Sequence, residues 1–170
     1  LFAQKNKLTQ KNLEQAHKLL TKHILQKGNQ GKIRKGNMFV VTKDGKIEYV
    51  AAAPEKLKTE LKKFYADLET LLAADLSFDE IFYFASLLHL IFVKIHPFED
   101  GNGRTSRLVE KWFLAEKLGA KAWFIQSEKH YYNQHLIYYH NIRLLGLEYQ
   151  ELDYSKALPF LMMLPQSLNK

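Results

Sequence analysis

The chain has no cysteine among its 170 residues, and this absence excludes two kinds of framework. Without thiols there is no disulfide network and no thiolate metal site of the kind that stabilises small domains. Stability must come from a packed core, for which 46 % hydrophobic and 13 % aromatic residues are sufficient. A chain without cysteine is compatible with a reducing compartment, and we expect a cytoplasmic location.

Long hydrophobic runs are also missing. The most apolar segment, residues 81–93, is too short to span a bilayer and is bordered by Asp79, Glu80 and Lys94. The first residues are rich in Lys and Gln and do not resemble a signal peptide. We therefore expect no contact with a membrane and interpret residues 81–93 as part of a buried helix.

Blocks of like charge are absent as well. The net charge is +7, but the lysines are scattered among Glu and Asp. Nucleic-acid-binding domains usually cluster their basic residues on one face or in one run. A nucleic-acid partner is therefore unlikely on composition, although a non-catalytic, basic binding module remains the alternative to an enzyme.

Apolar residues recur at helical spacing in most of the chain, which predicts an all-α fold. Thr9 is a candidate N-cap, and Ser77 with Glu80 forms a capping box. Pro97 ends the helix before it because proline disfavours helical geometry at His96. The predicted helices cover residues 10–27, 54–74, 78–95, 104–118, 127–145 and 156–164.

One β-hairpin interrupts the helices. Two β-prone runs, residues 38–42 and 46–50, flank Lys43-Asp44-Gly45, and Asp-Gly is typical of a type I′ hairpin turn. We expect this hairpin to be the only sheet and to pack on helices, because an isolated hairpin is barely stable in water. The prediction is a single domain over residues 1–170, with a core of about 7–145 and a C-terminal helical extension of about 146–170.

Residues 96–107 combine several groups that favour phosphate chemistry. Gly101, Asn102 and Gly103 precede a helix start, where free backbone N–H groups and positive potential favour an anion. Arg104 and Arg107 lie on one face of the first turn and can bind further phosphate oxygens. Cations are unfavourable at a helix start, so their presence here supports a bound anion.

Two more side chains of this segment complete a catalytic set. Asp100 lies beside the anion site and is a typical Mg²⁺ ligand. His96 titrates near neutral pH and can take a proton from a hydroxyl nucleophile. Phe98 is expected to point inward and anchor the loop. The residues alone thus predict phosphoryl or nucleotidyl transfer, in which positioning and charge neutralisation dominate.

The segment resembles the signature of Fic domains, His-Pro-Phe-x-Asp-Gly-Asn-Gly-Arg-x-x-Arg, and matches it at every specified position. Residues 31–34, Gly-Lys-Ile-Arg, are similar to the element that precedes the flap in this family. The hairpin lies where the flap belongs, and the Tyr131-Tyr132 pair also fits. The resemblance covers residues 7–145 and implies a Fic-like helical bundle with one inserted β-hairpin flap.

The resemblance implies a protein adenylyltransferase, which moves AMP from ATP to a Tyr, Thr or Ser hydroxyl of a protein target. His96 would be the general base, and Asp100 would hold Mg²⁺ between the α- and β-phosphates. Arg104 would bind the β-phosphate and Arg107 the γ-phosphate. The remaining implied roles are an anion hole (Gly101, Asn102, Gly103), an adenine pocket lined by Tyr131 or Tyr132, and a flap strand that docks the target (Met38, Phe39, Val40, Val41). The two tyrosines are equally well explained as core aromatics.

Many Fic proteins carry an inhibitory helix with the pattern Ser/Thr-x-x-x-Glu-Gly/Asn, which is not found in residues 1–170. Ser106 and Glu110 have the spacing, but they lie in the motif helix and Lys111 follows them. An inhibitory helix upstream of Leu1, one from a partner chain, or none at all remain open. Removal of AMP by hydrolysis in the same pocket and a donor other than ATP are the alternative activities.

Other catalytic or metal-binding patterns are weak. His130, His135 and His140 are five residues apart, which does not place them on one helix face at ligand spacing. A kinase-like family variant is disfavoured by Gly103, because that variant usually has Lys at this position. We therefore expect no zinc site, and nucleotidyl transfer remains the main hypothesis.

Overall fold

The computed structural model describes residues 2–42 and 45–168. Within these residues the fold is mainly helical, as predicted. The helices are α1 (Gln10–Leu20), α2 (Leu57–Ala73), α3 (Phe78–Ile95), α4 (Asn102–Leu118), α5 (Ser127–Asn133), α6 (His135–Arg143), α7 (Leu158–Leu161) and α8 (Met163–Gln166). Strands β1 (Phe39–Val41) and β2 (Ile47–Val50) pair as an antiparallel hairpin. Within the described residues this is the one sheet, beside an isolated bridge between Ile33 and Phe98.

Helix α3 lies at the centre, as its apolar sequence predicts. Its residues contribute to two hydrophobic clusters, one shared with α1, α2 and α4 and one shared with β2, α6 and α7. Phe92 faces the first cluster and Leu90 the second, and both side chains are fully buried. The C-terminal end of α3 is thus packed from two sides, which fixes the point from which the motif loop starts.

Side-chain caps explain where α1 and α3 begin. Thr9 Oγ1 accepts from the backbone N–H of Asn12, as its predicted N-cap role requires. Ser77 and Glu80 form the predicted capping box, with both reciprocal hydrogen bonds present. Helix α2 starts at Leu57 rather than at residue 54, because Pro54–Lys56 forms a 3-10 turn.

Two predicted helices were too long. The first ends at Leu20 instead of residue 27, because the Thr21 hydroxyl donates back to the carbonyl of His17 and Gln30 binds the carbonyls of Lys22 and Leu25. The helix predicted over 127–145 is broken at Gln134, which has φ −107° and ψ 28° and separates α5 from α6. Both breaks fall inside segments whose apolar spacing alone predicts one continuous helix.

Two further boundaries differ from the prediction. Helix α4 begins at Asn102 rather than Arg104, because Gly101 takes φ +82° and serves as N-cap. The helix predicted over 156–164 is a 3-10 turn followed by the single-turn helices α7 and α8. The motif glycines therefore belong to the helix start itself and not to the loop before it.

The hairpin is anchored through β2 and exposed on β1. Glu48 is buried and accepts from the guanidinium of Arg143, and the backbone N–H of Val50 donates to the carbonyl of Leu147 at 2.9 Å. Phe39 and Val41 of β1 are about half exposed. The register pairs Phe39 with Val50, with a bulge between Val40 and Val41. The Lys43 and Asp44 part of the predicted turn lies outside the described residues.

No helix in residues 2–42 and 45–168 is long and apolar enough to cross a membrane.

Lys94 is an unusual member of the core. Its side chain is fully buried, with Nζ donating to the carbonyl of Gly146 at 3.0 Å and lying 4.9 Å from the centre of the Tyr49 ring. Burial lowers its pKa to about 8. An amine that loses its proton more easily in the folded state than in the unfolded state makes stability depend on pH.

We predict that Lys94→Met removes a rise in stability between pH 8 and about pH 10. In that window the unfolded chain holds more protons than the folded one, so the free energy of unfolding increases with pH, by up to about 1.4 kcal/mol per unit. Urea unfolding of both proteins at pH 8, 9 and 10 measures the difference. Lys58→Met, at an exposed position of α2, is the control and should keep the wild-type slope.

Candidate active site

The motif loop begins with a strained backbone at His96. His96 has φ +52°, the one positive φ of a non-glycine residue in the described chain. Such a conformation costs about 1–2 kcal/mol. Arg34 compensates, because its Nε donates to the His96 carbonyl at 2.7 Å and its backbone N–H donates to the carbonyl of Pro97 at 2.9 Å. The turn therefore holds the imidazole at a fixed place after α3.

Phe98 and Asn102 fix the middle of the loop from inside. Phe98 is buried, as predicted, and stacks on the ring of His17 with centroids 3.7 Å apart. Asn102 Oδ1 accepts from the backbone N–H of Phe98 at 2.9 Å, and its Nδ2 donates to the Phe98 carbonyl at 2.8 Å. The amide side chain of Asn102 is thus used by the loop, which leaves its backbone N–H as the group that can bind an anion.

His17 supports the loop at Asp100. The backbone N–H of Gly31 donates to His17 Nδ1 at 2.9 Å, so Nε2 carries the hydrogen and donates to the Asp100 carbonyl at 2.8 Å. Burial is the main cause that lowers the pKa of His17, which keeps this ring neutral. Gly31 is required here: with φ +70°, a Cβ at this position would lie 2.8 Å from the carbonyl oxygen of Glu14.

The start of α4 leaves backbone donors free. Gly101 has no side chain that caps the helix, and the first backbone hydrogen bond runs from the N–H of Thr105 to the Gly101 carbonyl. The N–H groups of residues 102–104 therefore have no helical acceptor. With the dipole of a helix of 17 residues behind them, they form a site for an anion such as a phosphate.

The charged side chains of the motif surround this helix start. Asp100 Oδ1 accepts from the Gly101 N–H at 2.5 Å and lies 3.5 Å from Arg104. The carboxylate and the guanidinium are both exposed, so this ion pair is weak and can be exchanged for a ligand. Arg107 lies beside Gly103, where a Cβ would approach its guanidinium to 3.4 Å.

The donor set around Asp100 fits Mg²⁺ held jointly with phosphates. In the described part of the chain no three His, Cys, Asp or Glu side chains come together as a metal cage. Mg²⁺ usually takes one or two carboxylates and completes its shell with water and substrate phosphates. A single exposed carboxylate next to free N–H groups suits Mg²⁺ that is shared with substrate phosphates. It does not suit a structural metal ion, which is held by protein ligands alone.

His96 has the hydrogen-bonding pattern of a base. Its Nδ1 lies 3.0 Å from Tyr49 Oη and 3.3 Å from the carbonyl oxygen of Val93. A carbonyl only accepts, so the contact with Val93 favours the tautomer with the hydrogen on Nδ1 and the lone pair on Nε2. The pKa of His96 is lowered to about 4, mainly by burial and also by Arg34, although the Val93 carbonyl and Asp100 act in the opposite direction. The ring is neutral at physiological pH.

Tyr131 and Tyr132 line one cavity in different ways. Tyr131 is buried and its hydroxyl donates to Glu110 Oε2 at 2.6 Å, whereas Tyr132 is 81 % exposed. The cavity measures about 480 Å³ and reaches Arg107. Its wall consists of Arg107, Glu128, Lys129, Tyr131, Tyr132, His135, Tyr138 and Tyr139. Tyr131 is therefore a core aromatic that also lines the cavity. The adenine contact stays a prediction for either tyrosine.

Glu110 belongs to the core and not to the phosphate site. Its Oε2 lies 2.7 Å from His89 Nδ1 and accepts from Tyr131, and His89 Nε2 lies 3.0 Å from Tyr138 Oη. These four side chains are buried, and this explains why the spacing of Ser106 and Glu110 is not an inhibitory element. Two members of this network, Tyr131 and Tyr138, also line the cavity.

Sequence analysis did not identify three residues that support the motif loop. His17 looks like an ordinary core residue on the apolar face of α1, and Tyr49 looks like a strand aromatic. Arg34 was assigned only to an element before the flap, although it binds the backbone on both sides of His96. Gly31 was the signal in the sequence that could have found them. A glycine often stands where the backbone needs a positive φ or where two backbone segments approach closely.

Comparison with known proteins identifies the family. The sequence model of the Fic/DOC family matches residues 7–114, so the chain belongs to that family. It is 36 % identical over 86 residues to a uridine 5′-monophosphate transferase of Xanthomonas campestris pv. campestris (strain 8004) and 38 % identical over 79 residues to the protein adenylyltransferase Fic of Nematostella vectensis. These matches cover 49 % and 46 % of the chain but only 16 % of each relative.

The fold is also found among solved Fic structures. A Fic family protein from Desulfovibrio desulfuricans G20 superposes with a TM-score of 0.74 over 94 % of this chain and 44 % of that protein, at 21 % sequence identity. The likeness confirms the predicted helical bundle with its hairpin.

We predict that Gly101→Ala weakens both stability and phosphate binding. Gly101 has φ +82°, and a Cβ there would lie 2.7 Å from Thr21 Cγ2 and 3.3 Å from His17 Nε2. The left-handed backbone alone costs a non-glycine residue about 1–2 kcal/mol. Thermal unfolding measures the loss, and titration with α,β-methylene ATP measures binding.

Gly28→Ala is the matched control for this change. Gly28 has no positive φ and no atom within 4 Å of an added Cβ, so its substitution should change stability by less than about 0.5 kcal/mol. Equal effects of the two substitutions would contradict the close approach at Gly101.

We predict that His96 stays neutral to unusually low pH. Because burial lowers its pKa to about 4, its carbon-bound ring protons should titrate with a midpoint well below that of an ordinary histidine, near 6.5. NMR spectra of the free protein between pH 4 and 8 test this. A midpoint for His96 near that of an ordinary histidine would contradict it.

Proposed function

We propose that the chain transfers AMP from ATP to a Tyr, Thr or Ser hydroxyl of a protein target. One observation carries the proposal: a neutral histidine with a free Nε2 and an uncapped helix start with two arginines lie within residues 96–107. Membership of the Fic/DOC family supports it, since relatives in that family are named as AMP and UMP transferases.

The phosphates of ATP would bind at the start of α4. The N–H groups of residues 102–104 would receive oxygens of the triphosphate, with Arg104 on the β-phosphate and Arg107 on the γ-phosphate. Asp100 would hold Mg²⁺, which would neutralise negative charge on the α- and β-phosphates. The cavity that starts at Arg107 would then receive the nucleobase between Tyr131 and Tyr132.

The target hydroxyl would be activated by His96. Its Nε2 would accept the hydroxyl proton while the oxygen attacks the α-phosphorus. The bond between the α-phosphorus and its bridging oxygen breaks, and that electron pair leaves with pyrophosphate. The product is a phosphodiester between AMP and the target side chain. Because the base is already neutral, no proton has to leave it before the reaction.

The hairpin would hold the target segment. Strand β1 is the free edge, and the side chains of Phe39 and Val41 are exposed on it. An extended segment of the target can pair with that edge through main-chain hydrogen bonds, which gives affinity with little demand on target sequence. Met38 and Val40 would complete the docking strand from its less exposed face.

A UMP donor is the second candidate. One relative is named as a uridine 5′-monophosphate transferase. The phosphate site described above would contact phosphate oxygens and not the nucleobase. Competition of ATP labelling by unlabelled UTP, GTP and CTP separates the two candidates. AMP transfer predicts that none of them matches unlabelled ATP as a competitor.

We predict that the chain, incubated with Mg²⁺, a cell lysate and ATP labelled at the α-phosphate, transfers label to protein. His96→Ala should reduce the rate by about 10²-fold or more, because general base catalysis contributes that much. Mass spectrometry of the labelled proteins should find an AMP adduct on a hydroxyl residue.

ATP labelled at the γ-phosphate is the control for the position of attack. Addition of the chain should raise γ-labelling no higher than in the lysate alone, where endogenous kinases label proteins. His23→Ala controls for loss of a histidine outside the loop. A rise in γ-label caused by the chain, or full activity of His96→Ala, would refute the proposed reaction.

A further inference from the structure

Tyr49 connects the hairpin to the histidine of the motif. It is the most deeply buried residue of the two strands, at 2 % exposure, although Ile47 at the start of the same strand and Phe39 and Val41 of the partner strand are exposed. Its hydroxyl lies 3.0 Å from His96 Nδ1. The ring of Tyr49 meets the imidazole edge to face, with centroids 5.9 Å apart.

The hydroxyl of Tyr49 is held in place by three further contacts. The amine of Lys94 lies over the ring, and the residues on either side of Tyr49 are bound to the C-terminal part of the chain. Glu48 pairs with Arg143, and the Val50 N–H donates to the Leu147 carbonyl. Strand β2 is thus a fixed element, in contrast to β1, and it presents one hydroxyl to one ring nitrogen.

This contact bears on which nitrogen of His96 carries the hydrogen. The Val93 carbonyl, at 3.3 Å, is a long partner for Nδ1, and the Tyr49 oxygen is closer. If Tyr49 accepts from Nδ1, both partners favour the same tautomer and leave Nε2 free. If Tyr49 donated instead, the Nδ1 lone pair would face the Val93 carbonyl oxygen and Nε2 would carry the hydrogen.

We propose that Tyr49 is a positioning residue: its hydroxyl accepts from His96 Nδ1 and keeps the histidine in the tautomer that can take a proton at Nε2. The inference builds on the proposed function, in which Nε2 is the base. It assigns to the hairpin a second role beside target docking, since β1 offers the edge and β2 orients the catalytic ring.

The other charged groups near His96 do not replace this hydrogen bond. Arg34 binds the main-chain carbonyl of His96, and Asp100 acts on the ring through its charge. Lys94 contacts the ring of Tyr49 and donates to Gly146. Tyr49→Phe therefore removes one ring contact of His96 and keeps the packing and the Lys94 contact.

The test combines a spectrum with a rate. Histidine labelled with ¹⁵N distinguishes the two neutral tautomers, and the spectrum of His96→Gln assigns the signal. We expect the wild-type protein at pH 7 to show His96 protonated at Nδ1, and Tyr49→Phe to show a mixture of both tautomers. The rate of α-label transfer should fall about tenfold, while the dissociation constant for α,β-methylene ATP stays within twofold.

Tyr83→Phe is the matched control, because Tyr83 is a partly exposed tyrosine three turns before the end of α3. It should change neither the spectrum of His96 nor the rate. Melting temperatures of both variants show whether the fold is intact; if Tyr49→Phe does not fold, Tyr49→His, which keeps a ring and a polar atom, is measured instead.

A wild-type His96 protonated at Nε2 overturns the proposal, as does an unchanged tautomer and rate in Tyr49→Phe. The spectrum does not depend on transfer activity. An inactive wild-type protein with the expected tautomer shift would thus reject the proposed function and keep the positioning role.

Discussion

The N–H groups of residues 102–104 at the start of α4 are left without a helical acceptor, while the carbonyl oxygens of the loop before them are bonded to other parts of the chain. Arg34 binds the carbonyls of His96 and Pro97, Asn102 binds that of Phe98, and His17 binds that of Asp100. A buried carbonyl without a donor costs about 1–3 kcal/mol, so these donors fix the peptide planes. The anion site depends on this arrangement, since a peptide turned the other way would point an oxygen at a phosphate.

The proposed site has two halves, the phosphate site and the histidine, and different parts of the chain support them. The phosphate half is supported by α1, through His17. The histidine half is supported by β2 and the C-terminal part of the chain, through Tyr49 and the bonds that hold its neighbours. Arg34 binds the carbonyls of His96 and Pro97 and so supports the turn between the halves. Helix α3 links the halves as well, because both hydrophobic clusters pack on it and it ends at His96.

The sequence predicted those features that have a local cause. The capping box of α3, the end of α3 before Pro97 and the motif itself depend on residues within a few positions of each other. It did not predict the end of α1 at Leu20 or the break at Gln134, because helical spacing of apolar residues continues past both points. It missed His17 and Tyr49 because their roles depend on contacts across the fold: each is an ordinary residue of its element until the motif loop is folded against it.

The difference between local and tertiary causes also applies to recognition of the donor nucleotide. The phosphate site consists of backbone and arginines in one contiguous motif, so it is recognisable in any sequence that carries the motif and does not discriminate between nucleobases. The cavity beyond Arg107 is built from α5 and α6, whose relative position is set by the break at Gln134 and by the buried contact of Tyr131 with Glu110. In the proposed reaction, recognition of the nucleobase would therefore depend on the part of the site that tertiary packing builds, and the motif alone would not determine which nucleotide is transferred.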